Sequence, residues 1–153
     1  MILWSVLAIL VIILDQAVKI GVASSIAPTD SIRIIPGVID FVYVKNKGAA
    51  FSFLASKTYG IVVLSIVSLL FCAGVIAYIV VKKPKSKLFM TSLMLMFAGA
   101  FGNAIDRIFR GYVVDFIETT FMNFPVFNIA DIAITVGALL LIIYILFFDK
   151  SEA

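Results

Sequence analysis

The sequence predicts an α-helical membrane protein with four transmembrane helices. A small extracytoplasmic β-sheet is expected between helices 1 and 2, and a short interfacial loop or helix between helices 3 and 4. The first observation is composition: 63% of the 153 residues are hydrophobic and only 14% are charged. Soluble domains carry roughly 45–50% apolar and about 25% charged residues. Because so small a globule cannot bury the excess, the excess apolar side chains must face lipid.

The second observation is the length of the apolar segments, because a helix needs about 20 mostly apolar residues to cross a membrane. Four segments qualify, at about residues 2–22, 59–81, 88–108 and 130–148. The first differs from a cleavable signal peptide, since it has no basic start and Asp15 and Lys19 interrupt it. We therefore predict a single polytopic membrane domain over residues 1–153.

The third observation is the distribution of lysine, which predicts the orientation. The 82–87 loop contains four lysines in six residues, whereas the four basic residues of the 23–58 loop are widely spread. Basic residues close to the membrane ends favour the cytoplasmic side. We therefore place the 82–87 loop and both termini in the cytoplasm. The 23–58 and 109–129 loops then face outward.

The first outer loop has the composition of a sheet. Residues 32–44, with the sequence IRIIPGVIDFVYV, are rich in β-branched and aromatic residues around a Pro36-Gly37 turn signal. We expect a small sheet that lies on the outer membrane surface. The 109–129 loop is also apolar and is expected to follow the interface.

The lack of histidine and the single cysteine restrict the chemistry. Cys72 lies inside an apolar run. This excludes a disulfide framework, a zinc site of histidine or cysteine ligands, and a Ser-His or Cys-His nucleophile pair. The net charge of +3 does not indicate a nucleic-acid partner, because four of the twelve basic residues share one short loop. Carboxylates are the leading candidates for chemistry, and we expect no metal or other cofactor.

Charged side chains at membrane depth cost about 2.5–3.5 kcal/mol, so those that occur are usually paired or functional. Asp15 and Lys19 are four residues apart and share a helix face, which fits either an orienting ion pair or a functional role. Asn103 and Arg107 have the same spacing, with Asp106 one step away. A buried structural network explains these last three almost as well as substrate binding does.

Asp115 follows the third predicted span, and Asp131 opens the fourth. Because adjacent spans are antiparallel, the end of the third span lies beside the start of the fourth. Both carboxylates should therefore lie at the same level, near the outer face of the membrane. Two neighbouring carboxyl groups cannot both ionise cheaply, so one keeps its proton, as aspartic proteolysis requires. Asp131 alone also fits a helix N-cap or first-turn acid. The spacing makes a catalytic dyad possible without establishing it.

Five short motifs occur in order along almost the whole chain. They are Asp15-Gln16-Ala17-Val18-Lys19, Asn46-Lys47-Gly48-Ala49-Ala50, Gly102-Asn103-Ala104-Ile105-Asp106-Arg107, Val113-Val114-Asp115-Phe116 and Phe127-Asn128-Ile129-Ala130-Asp131. Each motif alone is a weak signal, but the set on a four-span chain is specific. The chain resembles signal peptidase II, the lipoprotein signal peptidase of bacteria.

The resemblance implies a membrane aspartic endopeptidase whose catalytic residues are Asp115 and Asp131. Structural support is implied for Asp15, Lys19 and Asp106. The substrate-binding residues that the resemblance implies are Asn46, Gly48, Asn103, Arg107 and Asn128.

The implied substrate is the signal peptide of a bacterial prolipoprotein, cleaved immediately before a cysteine that carries a diacylglyceryl group. The implied inhibitor is the cyclic peptide globomycin. Further expectations are contact with membrane lipids, no nucleic-acid partner and a monomeric state. The implied location is the bacterial cytoplasmic membrane, with the active site at its outer face and residues 32–58 forming a β cradle there.

The alternative is a small non-enzymatic membrane transporter or assembly subunit that uses intramembrane acids. Transporters usually have longer chains with repeated halves and polar groups near the bilayer midplane. Here the acids cluster toward one face, and the sequence contains no internal repeat. An assembly subunit would explain the hydrophobicity but not the converging asparagine, arginine and aspartate residues.

Overall fold

The structure, a computed structural model, describes residues 1–27, 30–48 and 59–148. Its elements are α1 (Ile2–Ser25), β1 (Ser31–Ile35), β2 (Ile39–Asn46), α2 (Gly60–Lys82), α3 (Lys87–Arg110), β3 (Val113–Thr119) and α4 (Ile129–Phe147). All four helices are long and apolar enough to cross a membrane. The predicted fold class is confirmed. Ala49, Ala50 and the rest of the predicted cradle up to residue 58 lie outside the described residues.

Helix α3 is central and packs against each of the other three helices. Its contact with α4 is close because glycines replace larger side chains at the interface. A Cβ atom on Gly99 would overlap the carbonyl oxygen of Ala130, and one on Gly137 would lie 2.8 Å from the carbonyl oxygen of Ser92. Small residues let helix backbones approach one another in lipid. This contact fixes the first turn of α4 against the C-terminal half of α3.

The three strands form one antiparallel sheet in the order β1-β2-β3. Strand β3 comes from the loop between α3 and α4, so residues 113–119 of the predicted interfacial loop form a strand instead. Their β-branched and aromatic side chains favour a strand. The edge of β2 that faces away from β1 supplies hydrogen-bond partners for the backbone N–H and C=O groups of β3. The sheet therefore joins the two outer loops.

One face of the sheet packs against the C-terminal end of α1. Val22 of α1 and Ile26, which follows the helix, share a buried cluster with Val114 and Phe116 of β3. The ring of Phe116 also contacts that of Phe41 edge to face, with a centroid distance of 5.2 Å. Helix α3 ends at Gly111, whose positive φ of 75° turns the chain directly into β3. These contacts fix the strand that carries one of the candidate aspartates.

Candidate active site

A cavity of about 1020 Å³ lies where the sheet meets α2, α3 and the start of α4. Its lining includes five polar residues that the sequence singled out: Asn46, Asn103, Arg107, Asp115 and Asp131. Apolar side chains of α2 and α4, among them Leu64, Val67 and Ile134, form another part of the wall. The cavity thus combines converging polar groups with an apolar surface on lipid-crossing helices.

Asp115 lies in the middle of β3 and is buried, with 3% of its surface exposed. Its Oδ2 atom accepts a hydrogen bond from Asn46 Nδ2 at 2.8 Å, and its Oδ1 atom accepts one from Asn128 Nδ2 at 2.7 Å. Asn46 pairs with Val113 across the β2–β3 ladder. Asp115, two residues further along, is therefore its diagonal neighbour on the same face.

The environment of Asp115 favours the protonated carboxyl group. The pKa of Asp115 is raised from 3.8 to about 6, chiefly by burial and also by the charge of Asp131. The hydrogen bonds from Asn46 and Asn128 and the charge of Lys19 lower this pKa and partly offset the effect of burial. Asp115 therefore keeps a proton over a pH range in which an ordinary aspartate is fully ionised.

Asp131 lies in the first turn of α4 and forms a capping box with Asn128. The backbone N–H of Asn128 donates to Asp131 Oδ2 at 3.1 Å, and the N–H of Asp131 donates to Asn128 Oδ1 at 2.9 Å. The Oδ1 atom of Asp131 also accepts a hydrogen bond, from Asn103 Nδ2 at 2.8 Å. Asp131 therefore does occupy a helix-capping position, and it lines the cavity as well.

Two asparagine side chains connect the two carboxylates. Asn128 Nδ2 donates to Asp115 and also lies 3.2 Å from Asn103 Oδ1. Asn103 in turn donates to Asp131. The side-chain amide has a carbonyl oxygen that accepts and an NH2 group that donates, in fixed relative positions. The relative placement of Asp115 and Asp131 is thus set by a continuous chain of hydrogen bonds.

Arg107 of the central helix contacts the segment that follows β2. Its Nη2 atom donates to the carbonyl oxygen of Gly48 at 3.3 Å, and the N–H of Gly48 donates to Asn46 Oδ1 at 2.8 Å. The guanidinium charge interacts with the charges of Asp131 and Asp115. Gly48 therefore takes part through its backbone, and it holds Arg107 and Asn46 in position.

Asp15, Lys19 and Asp106 lie beneath the cavity and are fully buried. Lys19 Nζ is 2.8 Å from Asp15 Oδ2 and 3.0 Å from Asp106 Oδ2. The Asp15–Lys19 pair is the one that the four-residue spacing predicted. Asp106 contacts Lys19 of α1, whereas its neighbour Arg107 lines the cavity.

These residues and their surroundings match a known family. A family model described as Signal peptidase (SPase) II matches residues 7–147. The chain belongs to the signal peptidase II family. A lipoprotein signal peptidase of Lactobacillus johnsonii is 38% identical over 150 residues, which cover 98% of this chain and 96% of that protein. One of Streptococcus thermophilus is 43% identical over 137 residues, covering 89% and 88%.

Solved structures agree with this membership. A structure described as a bacterial membrane enzyme at 2.3 Å resolution superposes with a TM-score of 0.88 and 32% identity, covering 98% of this chain and 92% of that one. A second, at 1.9 Å resolution, has a TM-score of 0.84 and 33% identity, with coverage of 96% and 94%. The chain is thus a multi-pass membrane peptidase that cleaves signal peptides from prolipoproteins. The resemblance identified from the motifs is confirmed.

The signal peptidase II cavity also includes residues that the sequence analysis did not select. Lys45 and Lys47 line it. Lys45 Nζ lies 5.6 Å from the ring centre of Tyr43 and 5.2 Å from that of Tyr112. Burial, together with a hydrogen bond to Tyr112, raises the pKa of Tyr43 to about 12. The sequence signal that could have identified these residues is the alternation of side chains between the two faces of a strand, which places Tyr43 and Lys45 on the same face of β2.

Within residues 1–27, 30–48 and 59–148, no group of three or more histidine, cysteine, aspartate or glutamate residues is arranged to hold a metal ion. The polar groups that line the cavity include the carboxylates of Asp115 and Asp131, the amides of Asn46 and Asn103 and the guanidinium group of Arg107.

Proposed function

We propose that Asp115 and Asp131 are the catalytic pair of an aspartic endopeptidase. The observation that carries the proposal is the presence of both carboxylates on one cavity, joined through Asn128 and Asn103. The raised pKa of Asp115, about 6, gives the pair the one proton that it needs. Because the two groups are coupled, the titration belongs to the pair rather than to either residue.

In the proposed reaction, the ionised carboxylate takes a proton from water while the water oxygen bonds to the scissile carbonyl carbon. The protonated carboxyl group donates its proton to the carbonyl oxygen. The resulting tetrahedral intermediate collapses when the carbon–nitrogen bond breaks and the leaving nitrogen receives a proton from the dyad. As the new carboxyl group forms, one hydroxyl of the intermediate returns its proton to the dyad. One proton is thus held by the pair at the start and at the end of each cycle.

Substrate binding is assigned to the residues around the dyad. Arg107 carries five N–H donors in a fixed fork, and the contact with Gly48 uses one of them. A peptide carbonyl beside the dyad can accept from this guanidinium group or from the amides of Asn46 and Asn103, which line the cavity. Asn128 is fully buried, and its amide supports the dyad instead. Asp15, Lys19 and Asp106 are assigned to structural support from below, since they are fully buried.

The proposed scissile bond precedes a cysteine that carries a diacylglyceryl group. Support comes from the apolar wall, since Val67 of α2 is 57% exposed although it lines the cavity. Acyl chains and an apolar signal peptide can therefore reach the cavity directly from membrane lipid. We assign globomycin, a cyclic peptide, to the same cavity.

The proposed setting is the bacterial cytoplasmic membrane, with the cavity at its outer face and both termini in the cytoplasm. The lysines of the 82–87 loop support this orientation. The chain is proposed to act as a monomer, without a nucleic-acid partner and without a metal or organic cofactor. The monomeric state is supported by the cavity lining, because the described part of one chain brings together all five polar lining residues that the sequence singled out.

The test replaces each carboxyl group by a nearly isosteric amide. Asp115→Asn and Asp131→Asn should each lower cleavage of a diacylglyceryl-modified lipobox peptide by several powers of ten, because the two groups act as one unit. The double variant should be hardly worse than either single one. Glu118→Gln is the matched control, since Glu118 lies in the same strand but outside the cavity lining. It should keep its activity.

A tenfold loss of activity corresponds to about 1.4 kcal/mol of transition-state stabilisation. If either folded variant loses no more than this, the replaced residue is not catalytic. Survival of Asp131→Asn alone would leave Asp131 as a helix cap. A chelator added to the purified enzyme should leave the rate unchanged, and a loss of activity would contradict the two-carboxylate mechanism.

A further inference from the structure

The ammonium group of Lys19 occupies the centre of the buried network below the cavity. It contacts three acceptors: Asp15 Oδ2 at 2.8 Å, Asp106 Oδ2 at 3.0 Å and Asn103 Oδ1 at 3.0 Å. An ammonium group has three N–H donors. Each donor is therefore used, and Lys19, which is 0% exposed, is fixed in direction as well as in position.

Among the three acceptors, Asp106 leads to one of the candidate catalytic residues. Asp106 Oδ2, the atom that pairs with Lys19, also accepts the backbone N–H of Val114 at 3.1 Å. Val114 immediately precedes Asp115 in β3, and it is fully buried. Asp106 thus ties the backbone that carries Asp115 to the ammonium group.

Asp15 leads to the other candidate catalytic residue in the same way. Asp15 pairs with Lys19 through Oδ2, and its Oδ1 atom accepts the backbone N–H of Ala130 at 2.9 Å. Ala130 immediately precedes Asp131 in the first turn of α4. A carboxylate at a helix N-terminus is favoured by the helix dipole and by the free N–H groups there. Asp15 thus ties the backbone that carries Asp131 to the same ammonium group.

The third acceptor sets the direction of an amide. Asn103 Oδ1 receives donors from both Lys19 and Asn128. The amide NH2 group must therefore point the other way, and it donates to Asp131 Oδ1 at 2.8 Å. Without the ammonium group, the orientation of Asn103 Oδ1 would rest on Asn128 alone.

We propose that Lys19 is a positioning residue of the peptidase reaction: its ammonium group sets the relative placement of Asp115 and Asp131 through Asp106, Asp15 and Asn103. The inference rests on the proposed function, because it requires both aspartates to be catalytic. Stability alone gives little reason for this network, since replacing a buried ion pair by apolar residues is often neutral or stabilising. Fixed geometry between the reacting groups is what the three contacts supply.

The test removes the ammonium group without leaving a buried charge unpaired. Lys19→Met alone would leave the buried carboxylate of Asp15 without its cationic partner, which is strongly destabilising. Asp15→Asn combined with Lys19→Met removes one charge of each sign. Asp106 then keeps Arg110, whose Nη1 atom lies 2.9 Å from Asp106 Oδ1, and the side-chain amide oxygen that Asp15→Asn leaves in place can still accept the N–H of Ala130. The reference is Asp15→Asn, which retains the ammonium group.

A second control separates helix packing from positioning. Trp4 Nε1 donates to Thr91 Oγ1 at 3.2 Å, and this contact joins α1 to α3 near the other end of both helices. Thr91→Val loosens the same helix pair away from the cavity. Its melting temperature should fall, while its kcat should stay within about threefold of the unmodified enzyme, a difference of roughly 0.7 kcal/mol.

Relative to Asp15→Asn, the double variant should lose about 100-fold in kcat on the lipobox peptide, the scale expected from a displacement of about 1 Å. KM should change by less than about threefold, because Asn46 and Arg107 keep their contacts with Gly48. A kcat within about threefold of the Asp15→Asn value, in folded protein, would overturn the inference. So would a rise in KM at constant kcat.

The pH profile supplies a readout that a purely structural role would not move. The charge of Lys19 lowers the pKa of Asp115. Removing that charge should raise this pKa and shift the alkaline limb of kcat/KM to higher pH than in Asp15→Asn. An unshifted limb contradicts the inference. Asp115→Asn is assayed in parallel. If Asp115→Asn stays active, the proposed dyad itself is wrong. If Asp115→Asn is inactive while the variant with both Asp15→Asn and Lys19→Met stays active, only the role of Lys19 is rejected.

Discussion

At the scale of single residues, the two aspartates differ in how their oxygens are used. Both carboxylate oxygens of Asp115 accept hydrogen bonds from side-chain amides, one from Asn46 and one from Asn128. Asp131 shares its oxygens between Asn103 and the backbone of its own helix cap. The sequence left a helix cap and a catalytic acid open as alternatives for Asp131. The capping box occupies Oδ2, while Oδ1 accepts from Asn103, so the two interpretations are compatible.

The pKa of Asp115 predicts how activity depends on pH. The free enzyme should lose kcat/KM above an apparent pKa near 6, where the pair gives up its remaining proton. Asn46 donates to the ionised form and so lowers this pKa. Asn46→Ala should therefore raise the pKa and move the alkaline limb to higher pH, whatever its effect on the maximal rate.

The measurement is kcat/KM for the lipobox peptide between about pH 3 and 9, a range that includes both the ordinary aspartate pKa and the raised one. Asn123→Ala is the control, because Asn123 is an exposed residue of the outer loop and should leave the limb in place. A shift of the Asn46→Ala limb to lower pH would show that the amide stabilises the protonated form of Asp115 instead.

At the scale of whole elements, β3 is the part of the fold that the sequence analysis did not predict. Its seven residues run V-V-D-F-I-E-T, and the first five are buried, so no alternation of polar and apolar residues marks the strand. Its partner β2 lies about 70 positions earlier in the chain. Pairing over such a separation is not visible in local pattern, which explains why the amide contacts of Asp115 also could not be predicted.

The close packing of α3 and α4 predicts a second effect. Gly99→Ala adds a methyl group where the carbonyl oxygen of Ala130 lies. Overpacking of this kind typically costs about 1–3 kcal/mol. Because Ala130 precedes Asp131, the variant should lose activity along with stability. Gly74→Ala in α2 is the matched control, since a Cβ atom there meets nothing within 4 Å.

Thermal unfolding in detergent and the peptidase assay provide the comparison. Gly74→Ala should unfold at the same temperature as the unmodified protein or slightly higher, because alanine favours a helix over glycine. Equal melting temperatures for Gly99→Ala and Gly74→Ala would mean that α3 and α4 can separate freely at this point, and the close contact would not be what places Asp131.

At the scale of the whole molecule, composition and motif order were sufficient for the fold class and the family. Four apolar helices follow from hydrophobicity, and the family follows from five short motifs in sequence order. What they could not supply was the connection between motifs. The first motif carries Lys19 and the third carries Asp106 and Asn103, and only the packing of α1 on α3 brings these side chains into contact.

The whole molecule also has a predicted orientation, which decides where the cavity opens. Four lysines in the 82–87 loop predict that this loop and the C-terminus lie in the cytoplasm. Lys45 and Thr120 then lie outside, on the side of the sheet and cavity. Lys85, Lys45 and Thr120 are all exposed, so a cysteine at any of them can react with a thiol reagent that reaches it.

Single cysteines at positions 45, 85 and 120 are introduced into a Cys72→Ala background, which removes the one native thiol. A membrane-impermeant maleimide added to intact cells or spheroplasts should label positions 45 and 120 but not 85, and position 85 should become labelled only after the membrane is opened. Cys72→Ala without further changes is the blank. Because the single span α2 separates the sheet from the 82–87 loop, labelling of 85 from outside would reverse the whole molecule. The cavity would then open to the cytoplasm, where it could not process substrates from the outer leaflet.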